Sequence, residues 1–131
     1  MNYWLIKSEP GTFSWDDMKS AGVEPWNGVR NYQARNFIKE MRVGDLCIFY
    51  HSTNERRIMG VVKVVKEAYP DPTDETGKFC MMDVKYEREI ENKLTLEEIK
   101  KNPKLAGLMI TTHSRLSVMP VSKDHWKILV G

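Results

Sequence analysis

The sequence predicts an α+β fold: a partial barrel of about five or six short strands with helices around its outside. Three observations predict it. Short apolar and β-branched runs recur from Tyr3 to Val121. Helix-start signals at Ser14, Asn31, Thr95 and Ser122 stand between those runs. The 131 residues, 41% hydrophobic and 29% charged, contain no repeat, low-complexity tract or linker, which points to one domain over 1–131.

Residues 2–8 (NYWLIKS) read as the first strand. Ser14 then caps a short helix, with Asp17 three residues on and Phe13 and Met18 at staple positions; Gly22 stops it. Glu24 to Gly28 reads as a turn. A stronger helix runs from about Asn31 to Met41, where Ala34, Phe37, Ile38 and Met41 form one buried stripe. Leu46–Tyr50 is an apolar strand, His51 to Arg56 a polar loop, and Ile58 to Val65 a strand buried on both faces or bent through Gly60. Tyr69 to Lys78, rich in Pro, Asp and Thr, is the one long loop, and Met81 to Tyr86 alternates as a strand.

Thr95 and Glu98 make a capping box, stapled by Leu94 and Ile99, for a helix to about Lys101. Asn102-Pro103 caps a further short helix. Leu116–Val121 is the last strand, and Ser122 caps a closing helix with Trp126, Leu129 and Val130 on one face.

The charge balance narrows the function. Twenty basic residues against eighteen acidic give a net charge of +2. The first 66 residues carry 10 basic and 7 acidic groups, the remainder 10 and 11. That polarity is too weak for a general polyanion binder, so a nucleic-acid partner would need a shaped pocket to supply affinity. No apolar run approaches a membrane span and no signal-peptide pattern opens the chain, so a soluble cytoplasmic protein is expected. Cys47 and Cys80 read as buried reduced thiols. No Cys or His stands at metal-ligand spacing, and no metal or other cofactor is expected.

Among the aromatics, Trp4, Trp15 and Trp126 have slots in periodic elements, whereas Trp26 sits in the turn. An aromatic there is either a plug over the core or a stacking surface for a ligand. Its neighbours Arg30, Asn31, Tyr32, Gln33 and Arg35 open a helix, whose N-terminus attracts phosphate or carboxylate. For Arg35 and Lys39 a solvated helix face accounts for the pattern equally well. Lys7-Ser8-Glu9-Pro10 and Tyr50-His51-Ser52 place polar groups where strands end, the usual site of pockets. Ser8 with His51 admits a nucleophile–base reading, but no nucleophile elbow or local motif surrounds Ser8. His113 and His125 read as lone surface histidines.

Tyr3–Pro10, the run Trp26-Asn27-Gly28-Val29-Arg30-Asn31-Tyr32-Gln33-Ala34-Arg35-Asn36-Phe37, Phe49–Ser52, Tyr69–Thr73 and Ser114–Val118 together resemble the EVE domain family, in order along the whole chain. The resemblance implies a PUA-like fold related to the YTH readers of methyladenosine. It also implies a pocket for a modified base, with 5-methylcytosine-type bases of DNA the usual proposal. Asn27 stands where the family often has Asp, and Phe79 where it often has Trp.

The expectation is therefore a non-catalytic reader of a modified base in DNA or RNA. Trp26 would stack, with Tyr32, Phe49 or Tyr50 as a second wall. Asn31, Ser8, His51 and Ser52 would complete the base pocket. Lys7, Arg30, Arg35 and Arg115 would meet phosphates. The alternative is an enzyme acting on a modified base or nucleoside through Ser8, Lys7 and His51.

Overall fold

The computed structural model describes all residues, Met1–Gly131. The local signals form as their chemistry dictates. β1 (Tyr3–Ser8) leads to α1 (Trp15–Ala21), where Ser14 Oγ accepts from the Asp17 N–H at 3.1 Å and Asp17 Oδ2 accepts from the Ser14 N–H at 2.9 Å. Gly22, at φ 75°, ends the helix in a conformation that side chains resist. β2 (Val23–Pro25) follows, then α2 (Tyr32–Glu40), β3 (Leu46–His51), β4 (Arg57–Pro70) and β5 (Cys80–Glu89). The Thr95–Glu98 box opens α3 (Leu96–Lys101). Two single 3₁₀ turns, Pro103–Leu105 and Met109–Thr111, lead to β6 (Val118–Val121) and α4 (Lys123–Val130).

The six strands make one mixed sheet in the order β2-β5-β4-β3-β1-β6. Only β1 and β3 pair in parallel (Tyr3 opposite Leu46 to Ser8 opposite His51); every other pair is antiparallel. Register shifts break the β3–β4 pair once and the β4–β5 pair three times, which bends the long hairpin. The sheet stays open. It curls enough that β2 at one edge and the entry to β6 at the other line one cavity. The core is a single cluster joining the sheet to the stripe of α2 and to Trp126 of α4, whose ring stacks on Tyr3 at 4.5 Å.

Five readings change. The segment read as a turn begins with strand β2, which escapes notice because it has three residues and ends in Pro; at a sheet edge the missing N–H costs nothing. β4 extends to Pro70, absorbing the start of the expected long loop, and β5 extends to Glu89. β6 starts at Val118, two residues late. The helix after Asn102 is one 3₁₀ turn. No helix is long and apolar enough to cross a membrane. Cys47 and Cys80 are buried and free, and burial pushes both thiols up.

Candidate functional site

A cavity of about 600 Å³ opens where the ends of β1 and β2 converge. Lys7 and Ser8 enter it from the end of β1, Glu9, Thr12 and Phe13 from the following loop, and Glu24 and Pro25 from β2. The segment Trp26–Asn31 forms a further side, and Arg115 and Ser117 close it from ahead of β6.

Backbone pairing sets the Trp26 ring. Its N–H donates to the Met82 carbonyl at 2.7 Å, extending the β2–β5 ladder by one residue. The indole meets Phe13 (centroids 6.2 Å apart, planes at 84°) and Phe49 (5.6 Å, 81°) edge to face, a favourable quadrupole arrangement. It is 8% exposed, so it belongs to the core and lines the cavity at once.

Asp71 anchors the next segment at Gly28 and Arg30. Fully enclosed, its carboxylate accepts from the Gly28 N–H at 2.8 Å, from Arg30 Nη1 at 3.2 Å, and from the Thr73 N–H (2.8 Å) and hydroxyl (2.6 Å). Burial pushes its carboxyl up, but the donations from Thr73, Gly28 and Arg30 outweigh that and hold it below the usual range. Gly28 makes its contact at φ 82°. Arg30 also donates to the Thr73 hydroxyl at 2.9 Å, so its guanidinium is fixed at the cavity rim. Lys7 Nζ donates to the Ser114 carbonyl at 3.1 Å; burial, then the charge of Arg56, lowers its pKa from the ordinary lysine value.

The structure brings Trp26, Asn31, Ser8, Lys7, Arg30 and Arg115 together around the cavity. Asn31 Oδ1 caps the Ala34 N–H of α2 at 2.9 Å, leaving its amide NH₂ as the end available to a ligand. Phe49 and Tyr50 are buried outside the lining, because β3 is a central strand covered on both faces. Tyr32 turns away and stacks on Phe79 (5.0 Å, 29°), with the Arg35 guanidinium 4.9 Å above its ring. Arg35 and Phe79 are therefore outside the cavity as well. Ser52 is placed by its backbone, whose N–H donates to the Ser8 carbonyl at 2.9 Å. His51 Nε2 accepts from the Trp15 N–H at 3.0 Å, the first turn of α1, and burial lowers its pKa.

Sequence reasoning missed Phe13, read as a staple, and Glu24, read as a turn residue. The signal for Glu24 was its position two residues before Trp26, the spacing that puts strand neighbours on one side. The nucleophile–base pair does not assemble: the Ser8 hydroxyl donates to the Phe13 carbonyl while His51 caps α1. No group of three or more His, Cys, Asp or Glu side chains could hold a metal ion.

An open, curled six-stranded mixed sheet with four flanking helices is a PUA-like α+β fold, and this one carries an aromatic-walled cavity at the converging ends of its strands. The EVE domain model matches residues 2–131, and the chain belongs to the EVE domain family. Thymocyte nuclear protein 1 of Mus musculus is 34% identical over 99% of this chain and 73% of its own length; that of Gallus gallus is 35% identical over 98% and 67%. A protein of Agrobacterium tumefaciens superposes with a TM-score of 0.96 at 39% identity, covering 99% of this chain and 91% of that one. Human THYN1 protein, solved in complex with 5-methylcytosine containing DNA, superposes with a TM-score of 0.91 at 34% identity, over 99% and 96%.

Proposed function

We propose that the cavity takes a single modified base of the 5-methylcytosine type, extruded from DNA or RNA, and that the protein is a non-catalytic reader of that base. The observation that carries this reading is the cavity itself: an indole wall, amides at Asn27 and Asn31, and the cations Lys7, Arg30 and Arg115 at its border. A base needs all three, a π-face to stack on, donors and acceptors for its edge, and positive charge for the flanking phosphates. The THYN1 complex with 5-methylcytosine containing DNA supports the choice of base. Extrusion costs a few kcal/mol and is cheapest from single strands or weakened pairs, where such a reader finds its ligand most readily. Cys47 and Cys80 suit a reducing compartment, and a cytoplasmic location goes with this reading. No arrangement of Ser8, Lys7 and His51 favours the enzymatic alternative, since each is engaged with backbone groups.

The test is substitution at Trp26. Trp26→Ala removes the wall but also core packing, at about 3 kcal/mol or more, so Trp26→Phe is measured beside it. Fluorescence anisotropy with single-stranded oligonucleotides should show Trp26→Ala losing preference for the 5-methylcytosine strand over its unmodified twin. Trp26→Phe, which keeps a smaller π-face, should retain part of it. Equal selectivity in a folded Trp26→Ala protein would end the reading.

A further inference from the structure

Glu24 is the residue of the cavity that the proposed reader leaves without a task. It lies in β2 opposite Val84 of β5, half-buried, between exposed Val23 and Pro25. Strand alternation puts it on the side of Trp26, and the Trp26 N–H bond to Met82 keeps that alternation past the formal end of the strand. Carboxylate and indole therefore stand side by side on one rigid backbone segment, and both line the cavity.

Two other acidic groups of the fold show what is missing. Asp45 accepts from the backbone N–H of Asn2 and of Arg42 and from the Trp4 indole; Asp71 has its four donors. Burial is the one influence on the Glu24 carboxyl and pushes it up, with no donation from the protein to offset it. A carboxylate is an acceptor only, and a half-buried one gains from any donor a ligand brings.

We propose that the Glu24 carboxylate reads the exocyclic edge of the captured base by accepting a hydrogen bond from its amino group, so that the cavity takes amino-bearing bases of the cytosine type and rejects their keto counterparts. The inference rests on the cavity being a base site and adds the rule by which it chooses. 5-Methylcytosine and thymine share the ring size and the methyl group. At the exocyclic position 5-methylcytosine carries an N4 amino donor, beside a bare N3 acceptor, and thymine an O4 acceptor, beside an N3–H donor. Stacking on Trp26 and burial of the methyl group cannot separate them. A carboxylate facing that position does, because O4 would meet it as a second acceptor and leave both desolvated and unpaired. Asn31 lacks this power because its Oδ1 is spent on the Ala34 N–H and only its NH₂ donors remain, and Asn27 because its amide offers a donor as readily as an acceptor. Glu9, the other carboxylate of the lining, stands exposed on the loop after β1.

The experiment uses three single-stranded DNA oligonucleotides identical except for one central base: 5-methylcytosine, cytosine or thymine. Single strands keep mismatch energetics out of the comparison. The protein should bind the 5-methylcytosine strand about tenfold or more tighter than the thymine strand. Glu24→Gln, whose amide can donate to O4, should bring that ratio to within about twofold. Glu24→Asp, which keeps the charge but draws it back by one methylene, should reduce it in part; it serves as the second variant if Glu24→Gln fails to fold. Equal binding of the 5-methylcytosine and thymine strands by the parent protein, or an undiminished ratio in both Glu24 variants, would overturn the proposal. Those results leave the reader function standing as long as the parent prefers 5-methylcytosine to cytosine. Loss of that preference would remove the reader function and this inference together.

Discussion

Trp26 serves the core and the cavity with one ring, and that double service sets what can be read at the scale of single residues. The sequence marks it because no periodic element claims it, and the structure places it at the cavity wall with 8% of its surface exposed. Phe49 and Tyr50 were drawn into the same expectation by their place near a strand end and in the EVE-like run Phe49–Ser52. In a strand, composition does not say which sheet position is covered, and β3 proves central, so both rings point into packed layers. Asp71 gave no such signal, because its partners Gly28 and Arg30 lie more than forty residues away. Yet it sets the cavity side that carries Trp26. Asp71→Ala leaves the Gly28 N–H and the Arg30 guanidinium without their acceptor and should cost roughly 1–3 kcal/mol, read as a fall in urea midpoint. The pH dependence follows from the same contacts. The native carboxyl titrates below its unfolded value, so its stabilisation is complete above the ordinary Asp range and is lost as pH falls through the lower native value. Asp71→Asn should flatten the acid limb of the melting-temperature curve. An acid limb of unchanged slope would count against the tether.

At the scale of elements, what is local was legible and what is paired was not. The capping boxes at Ser14 and Thr95 and the cap at Asn31 are written in four consecutive residues and form as expected. β2 and the full length of β4 and β5 are fixed by partners distant in the chain, so their ends could not be read from either strand alone. Gly60 illustrates the second kind of information. It stands in β4 opposite Phe49, where the sequence suggested a bend. The structure gives the reason for a missing side chain. A Cβ there would lie 2.0 Å from Trp15 Cζ2 and 2.4 Å from Cη2. The indole cannot retreat easily, being 2% exposed and held by its donation to Glu89 Oε2 at 2.8 Å. Gly60→Ala should therefore destabilise the fold by about 1–3 kcal/mol or more. The check is a lower urea midpoint at unchanged m-value, and an unshifted midpoint would mean that the β4–α1 contact yields.

The whole molecule is nearly neutral, and that decides how the proposed reader can hold a strand. A binder that tracks a long backbone collects many phosphate contacts and loses affinity steeply with salt. Here the cavity border offers Lys7, Arg30 and Arg115, while Glu9 and Glu24 stand in the same lining. Arg30 is already shared with buried Asp71, 3.2 Å away, which leaves Lys7 and Arg115 as the two cations with no acidic partner and the third available in part. At about 0.7 counterions per phosphate contact on a single strand, the plot of log affinity against log salt should have a slope between about −1.4 and −2. Lys7→Ala and Arg115→Ala should each shallow that slope by about 0.7 and weaken modified and unmodified strands alike, because phosphates position and bases specify. Selectivity should persist at salt concentrations that weaken overall binding, since stacking and edge contacts release no counterions. A slope steeper than about −4 would need more phosphate contacts than the cavity border can supply. It would place the strand across a far larger face of the protein, such as the Arg35–Tyr32–Phe79 stack, which meets the cavity rim where the Arg30 guanidinium lies 5.6 Å from the Phe79 ring.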